Sequence, residues 1–284
     1  MKGGKFTLLL TIVFTLLIGC SLFAQEREEY GWSRSVVGNL NLTQTQFDNW
    51  VQGGENTISW QLSINGALEQ KQENYRWENS GKISYGQSKM GDNEYRKSVD
   101  ELSLESIFIY LLNWYVDPYV ALNGETQMAS GYVYSDGSKI EVSRFLDPVY
   151  FTESMGLGCT PIEEFKTRLG FAVKQTYTSD YPIPYADDPE TEEIEKTKIE
   201  LGAESVTNLK VEFHKNILLT SKLELFSNME AFDEIDVKWD NLFIAKISEY
   251  INVNLNVKLL YDKDISKKRQ IEQALALGIT YNLL

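Results

Sequence analysis

The C-terminal stretch from Gln270 to Leu284 alternates between apolar side chains and small or polar ones. The apolar positions are Ile271, Leu275, Leu277, Ile279, Tyr281 and Leu283, and Ala274, Ala276, Gly278 and Thr280 stand between them. A period of two residues indicates a β-strand with one face in an apolar medium.

The same period recurs along the chain, and no helical period is sustained after the N-terminal region. The alternating runs cover residues 36–43, 58–69, 75–88, 99–112, 115–128, 151–158, 165–174, 198–204, 217–225, 235–243, 251–261 and 270–284. The pattern predicts an all-β fold, an antiparallel transmembrane β-barrel of about 12 strands.

The connections between the runs alternate in length, as in bacterial barrels with short periplasmic turns and longer outside loops. The predicted outside loops are 52–54, 89–96, 129–147, 179–195, 228–234 and 262–269. The predicted turns are 73–74, 112–114, 160–164, 208–215 and 248–249, and only the fourth is long. An even number of strands places both termini on the periplasmic side.

A soluble sandwich or lipocalin-like barrel also alternates, but its polar face would be dominated by exposed charged residues. Here the polar face is rich in Ser, Asn, Gly and Ala beside charges of both signs, which suits a crowded lumen. Trp and Tyr side chains gather towards the run ends, where membrane girdles lie. These features favour the membrane barrel over the soluble one.

Charged residues at the inward positions are the predicted lining of the lumen. We expect them to pair with one another, because an isolated and partly desolvated charge is costly. They are Arg76, Lys82, Glu101, Glu105, Glu125, Arg168, Lys174, Lys198, Glu200, Glu204, Lys222, Glu224, Lys238, Asp240 and Lys258.

The N-terminus carries an export signal. Lys2 and Lys5 precede an apolar run, and cleavage after Ala24 would leave residues 25–284 as the barrel domain. The alternative is a lipoprotein with Cys20 as the lipidated residue. In either case we expect an integral outer-membrane protein that contacts membrane lipid and the outer-membrane assembly machinery.

Composition narrows the function further. The formal net charge is −14, and loss of Lys2 and Lys5 with the leader leaves 25 basic residues against 41 acidic ones. This acidity argues against nucleic-acid binding, which requires a basic surface.

Little in the sequence indicates catalysis. The only histidine, His214, falls in a predicted turn, which gives a membrane-embedded hydrolase little support. The acidic run 187–193 lacks the spacing and the glycine of a calcium loop, and Gly53-Gly54 lacks the lysine of a phosphate loop. We therefore predict no enzyme activity, cofactor or metal. Glu153 has outward parity, and we expect a β-bulge to turn it away from lipid.

Several short motifs resemble an uncharacterised family. They are Asn49-Trp50, Gly53-Gly54-Glu55-Asn56, Asp117-Pro118-Tyr119, Glu125-Thr126-Gln127, Leu225-Phe226 and Trp239-Asp240-Asn241. The chain resembles, over nearly all of its mature length, a domain-of-unknown-function family of outer-membrane barrels typical of Bacteroidota. The resemblance implies the fold and no activity. The C-terminus departs from the usual aromatic end of such barrels, since it reads Tyr281-Asn282-Leu283-Leu284.

The sequence thus predicts a narrow passive channel or a structural barrel. The alternative is a partner-binding component of an envelope or surface assembly that would use the long loops to contact envelope proteins.

Overall fold

The computed structural model describes residues 30–48, 54–112, 114–135, 138–188, 191–229, 235–263 and 268–283. The predicted signal peptide 1–24 and the alternative lipidation site Cys20 lie outside the described residues.

Fourteen strands and one helical turn make up the described secondary structure. They are β1 (Gly31–Thr45), β2 (Thr57–Lys71), β3 (Tyr75–Met90), β4 (Arg96–Tyr110), β5 (Asp117–Thr126), β6 (Gly131–Ser135), β7 (Ser138–Ser143), β8 (Val149–Ile162), β9 (Phe165–Tyr177), α1 (Pro182–Tyr185), β10 (Thr197–His214), β11 (Ile217–Asn228), β12 (Ile235–Lys246), β13 (Ile251–Tyr261) and β14 (Gln270–Asn282). Among the described residues, no helix is long and apolar enough to cross a membrane.

Twelve of these strands close into an antiparallel barrel, so the predicted fold class is confirmed. The order around the wall is β1-β14-β13-β12-β11-β10-β9-β8-β5-β4-β3-β2, and β6 pairs with β7 in a separate two-stranded sheet. Because the sheet is closed, its wall has no free strand edge except at the ends of the seam between the first and last strands.

The barrel has a turn end and a loop end. Short connections such as Gln72–Asn74 and Glu163–Glu164 lie at the turn end, and the start of β1 and the end of β14 lie there as well. The loop end carries the longer connections, including the β6–β7 hairpin and α1.

The predicted fourth turn, 208–215, is wrong. β10 continues to His214, and the turn contains only Lys215 and Asn216. At the rim of the barrel both faces meet water, so the alternation of side chains fades while backbone pairing continues. The predicted loop 129–147 also contains structure, because β6 and β7 form a hairpin there. Asp136-Gly137, a dipeptide that favours a turn, lies outside the described residues.

Large apolar side chains cover the outer surface of the wall. Leu104, Phe171 and Leu275 are 64%, 67% and 63% exposed, although each lies in the middle of a paired strand. Monomeric water-soluble proteins rarely expose apolar surface so continuously. The wall therefore has an apolar outside and, as described below, a polar inside.

The expected bulge at Glu153 is absent. β8 pairs regularly with β5 and β9 through this residue, which lies opposite Leu122 and Val173 on the outward face. Its carboxylate accepts a hydrogen bond from the Gln175 amide at 2.7 Å. Glu153 is near the loop end of β8, so a polar neighbour on the same face takes the place of a register shift.

Candidate functional site in the barrel lumen

Strand register places all fifteen predicted lumen residues on one continuous face. Directly opposed residues of paired strands share a face, and Lys82 opposes Ser103, which opposes Glu125. The same relation joins Lys174 to Glu200, and Lys222 through Asp240 to Lys258. This face is opposite to the one that carries the exposed apolar side chains, so it lines the lumen.

Glu105 lies at the centre of a cluster that spans the barrel. Its carboxylate accepts a hydrogen bond from the Arg168 guanidinium at 2.7 Å and lies 3.3 Å from Lys222 Nζ. Lys222 also contacts Glu224 at 2.6 Å. Glu105 is on β4 and Lys222 on β11, which are separated by four strands along the wall on one side and six on the other. The pair therefore crosses the lumen instead of running along one wall.

A second cluster lies nearer the loop end. Glu101 on β4 contacts Lys82 at 3.0 Å and Lys258 on β13 at 3.6 Å. Lys238 on β12 donates a hydrogen bond to Glu125 on β5 and lies 3.9 Å from Glu224. The contacts of Glu101 with Lys258 and of Lys238 with Glu125 also join distant strands, whereas the other two join neighbouring ones.

At the loop end of the lumen, Lys174 contacts several acidic residues. Its ammonium lies 2.9 Å from Asp236, 3.3 Å from Asp262 and 4.0 Å from Glu200, which in turn lies 3.3 Å from Lys198. Asp236 and Asp262 were not among the predicted lumen residues. Asp236 has inward parity on β12. Asp262 follows β13 in a predicted loop, where strand alternation does not predict an inward position.

A polar cavity of about 1770 Å³ occupies the lumen on the turn side of Glu105 and Lys222. Its walls carry amide and hydroxyl side chains together with charges. Arg76 lies 2.9 Å from Glu78, and Lys166 donates to Glu78 at 2.6 Å. Glu78 and Lys166 were missed by the prediction although both have inward parity.

The remaining two predicted lumen residues also face inward. Asp240 lines the cavity between Lys222 and Lys258 on the neighbouring strands. Glu204 is oriented inward on β10, and its Oε2 atom is buried without a hydrogen-bond partner.

At the other end of the lumen, hydrogen bonds hold the loops to the wall and to one another. Lys97 Nζ contacts Asp100 at 2.9 Å and the Ala129 carbonyl at 2.8 Å. The buried Asp147 accepts hydrogen bonds from the backbone of Ser179 and Asp180, which holds the two longest loops together. Burial raises the pKa of the Tyr185 hydroxyl in α1, an effect that a hydrogen bond with Ser143 opposes.

The structure also locates the candidates for catalysis and metal binding. His214 is exposed at the turn end of β10. Within the described ranges, no group of three or more His, Cys, Asp or Glu side chains is arranged to hold a metal ion.

Comparison with protein families identifies one match. The model of a family described as protein of unknown function (DUF3078) matches residues 42–132. This range contains the motifs from Asn49-Trp50 to Glu125-Thr126-Gln127, whereas Leu225-Phe226 and Trp239-Asp240-Asn241 lie outside it. No curated protein sequence matches the chain.

Several solved structures of outer-membrane barrels show a weak similarity to this chain, with low TM-scores and low sequence identity. The translocator domain of the autotransporter NalP from Neisseria meningitidis has a TM-score of 0.41 and 11% identity, covering 98% of this chain and 97% of that one. An outer membrane channel from Pseudomonas putida F1 has a TM-score of 0.42 and 11% identity, covering 91% and 97%. The NanC porin has a TM-score of 0.39 and 7% identity, covering 88% and 100%. The barrel of this chain is established by its strand pairing, and no activity is assigned from such low similarity.

Proposed function

We propose that the chain is an integral outer-membrane β-barrel that forms a constricted passive channel of low conductance. The observation that carries this proposal is the set of ion pairs across the lumen, above all Glu105 with Lys222. A twelve-stranded barrel is wider than the eight-stranded size whose interior side chains just fill it, yet narrower than open porins. Long paired side chains from facing walls narrow the remaining water path.

The membrane placement rests on the outward apolar face of the wall. The start of β1 and the end of β14 also lie together at the turn end, as in bacterial barrels. A closed barrel satisfies its backbone polar groups internally, which the bilayer core requires. The motif resemblance supports the further proposal that the chain belongs to an uncharacterised family of outer-membrane barrels typical of Bacteroidota. The protein should fractionate with outer membranes, and recovery as a soluble periplasmic monomer would contradict the proposal.

Planar-bilayer recording tests the constriction. We compare the unaltered protein with Glu105→Ala/Lys222→Ala, which removes one charge of each sign from the centre of the lumen. The matched control is Glu94→Ala/Lys139→Ala, because this pair has the same two residue types at 3.5 Å and lies exposed at the loop end. We expect small current steps for the unaltered protein and the control, and larger steps for the lumen variant.

Two results would contradict a constricted channel of low conductance. Large, stable steps from the unaltered protein would show that the charges line an open pore. The absence of current from all three proteins would indicate a structural barrel without a channel function. We expect no enzymatic activity in either case, since the only histidine is exposed in the turn region.

A second candidate function is binding of an envelope partner through the loop end. The observation that favours it is the β6–β7 hairpin, which stands outside the barrel sheet and exposes Val133 and Ile140. Tyr132 on the same hairpin stacks beneath Lys139 at 4.3 Å. Co-purification in mild detergent of a partner that is lost from Val133→Ser/Ile140→Ser would support this function.

A further inference from the structure

The seam between β1 and β14 is the shortest pairing in the barrel wall. The two strands, both fully described, pair only from Val37–Asn282 to Leu42–Leu277. Beyond these pairs, β1 continues from Thr43 to Thr45 and β14 extends from Gln270 to Ala276 without pairing to each other. Towards the loop end, the two strands therefore diverge.

Side chains on the lumen side hold the paired part of the seam together. The Asn254 amide donates to Asn41 Oδ1 at 2.8 Å, and the Thr280 hydroxyl donates to Asn39 Oδ1 at 2.5 Å. The Asn252 amide donates to the Thr280 hydroxyl at 2.5 Å. Beyond Leu42, the contact across the seam is a longer one of 3.3 Å from the Thr43 hydroxyl to the Leu275 carbonyl.

A cavity of about 450 Å³ lies at the point of divergence. Its volume is within the range of about 300–1,000 Å³ typical of small-molecule sites. It is lined by Leu42, Thr43, Gln44, Val253, Leu275, Ala276 and Leu277. By register, Thr43 and Ala276 have inward parity and the other residues outward parity, so side chains from both faces of the wall border this cavity, which is largely open to the outside.

The cavity in the wall adjoins the cavity in the lumen. Ala276 lines both cavities. Its side chain is a single methyl group, so little bulk separates the two cavities at this position. On the lumen side the neighbouring lining is polar and uncharged, with Asn39, Asn41, Asn254 and Asn256. On the membrane side it is apolar, with Leu42, Leu275 and Leu277.

We propose that this opening binds the acyl chain of a membrane amphiphile, with the chain in the wall and the polar head towards the lumen amides. The proposal rests on the membrane placement argued above. None of the seven lining residues is charged, so the opening fits neither an ion nor an anionic head group. A partner strand could pair with β1 only at Thr43 to Thr45 beyond the last pair, so β14 alone would have to hold most of it.

Photolabelling tests the site on purified protein in bilayer nanodiscs. The probe is a monoacylglycerol, whose head group is polar and uncharged, with a diazirine in the middle of its acyl chain, and adducts are mapped by fragment-ion mass spectrometry. The blocking variant is Ala276→Phe. The matched control is Ala274→Phe, because Ala274 has the same parity on the same strand and lines the lumen cavity without lining the opening in the wall.

We expect adducts to concentrate on residues 42–44 and 275–277, to be lost from Ala276→Phe and to remain in Ala274→Phe. Adducts spread evenly over the outward apolar face would overturn the proposal, as would equal labelling of the two variants. A polypeptide that crosslinks to the seam in place of the probe would also overturn it, in favour of a partner strand. If Ala276→Phe does not fold, as judged by heat-modifiable gel mobility, Ala276→Leu and Ala274→Leu replace the pair.

Failure of this proposal and of the proposed function are distinguishable. If the protein fractionates with outer membranes and is labelled evenly, only the acyl-chain site is refuted. If the protein is recovered outside the membrane, both proposals are refuted.

Discussion

Lys222 Nζ lies 3.3 Å from a carboxylate oxygen of Glu105, although the two residues are 117 positions apart in the chain and nearly face each other across the barrel. Arg168 binds the other oxygen of the same carboxylate. One carboxylate thus bridges two cations from different strands of the wall. This contact links the stability of the barrel to the width of its lumen.

Glu105→Gln should destabilise the folded barrel. The substitution preserves the shape of the side chain but leaves Arg168 and Lys222 without their shared carboxylate, and loss of one partner of a buried charge pair is costly. We expect a loss of about 1–3 kcal/mol, since water in the lumen screens part of the effect. The measurement is urea unfolding followed by heat-modifiable gel mobility.

The control for this prediction is Glu94→Gln, in the exposed ion pair with Lys139. Exposed pairs contribute little to stability, so the unfolding midpoint should hardly change. An equal effect of the two substitutions would show that the central cluster is as solvated as the barrel surface.

Gly278→Ala should weaken the seam. A Cβ atom at Gly278 would lie 2.3 Å from Asn252 Oδ1, 2.5 Å from Asn254 Nδ2 and 2.7 Å from Asn41 Oδ1, so the amides that join β13, β14 and β1 would have to move. We expect a lower unfolding temperature and faster hydrogen exchange in β1 and β14.

Gly66→Ala is the matched control, because a Cβ atom there meets nothing within 4 Å. Alanine also restricts the unfolded chain more than glycine does, so this variant should be neutral or slightly stabilising. Equal destabilisation by both substitutions would show that the amide cluster does not hold the seam.

The alternation of side chains predicts the faces of this barrel, but not the contacts within it. Period two assigns Glu105 and Lys222 to the same face, yet it contains no information on which strands face each other across the lumen. That relation depends on strand number, register and closure. Glu78 and Lys166 had the correct parity and were still missed, because nothing local distinguishes a charge inside the lumen from one at its mouth.

The errors of the prediction share a physical cause. The rule that the outward face must be apolar and the lumen face polar applies within the bilayer core, and it fails near the rims. Glu153 keeps its outward position near the loop end because Gln175 hydrogen-bonds to it there. His214 continues β10 although its surroundings are charged, and the β6–β7 hairpin lies beyond the wall altogether.

Protease accessibility should report the orientation of the barrel. Glu192 and Glu193 are exposed in the loop between β9 and β10, and Glu163 and Glu164 are exposed in the turn between β8 and β9. A glutamate-specific protease added to intact cells should cut after Glu192 or Glu193 and should spare Glu163 and Glu164.

The two sites are mutual controls, since they have the same cleavage chemistry at opposite ends of the barrel. Opening the outer membrane should make the turn site accessible without changing the loop site. Cleavage after Glu163 or Glu164 in intact cells, with protection of the loop, would invert the topology.

Phe171→Arg should impair membrane assembly, whereas Ile183→Arg should not. Both side chains are 67% exposed, but Phe171 lies on the outward face at the middle of β9 and Ile183 lies in α1 at the loop end. In a bilayer, arginine at the midplane of a barrel wall costs about 2–4 kcal/mol, and the cost falls towards the interfaces. In water, by contrast, two equally exposed apolar residues should tolerate arginine equally well. The measurement is the folded fraction of each variant in lipid vesicles, read from gel mobility before and after heating. Equal folding of Phe171→Arg, Ile183→Arg and the unaltered protein would show that the apolar face does not contact lipid.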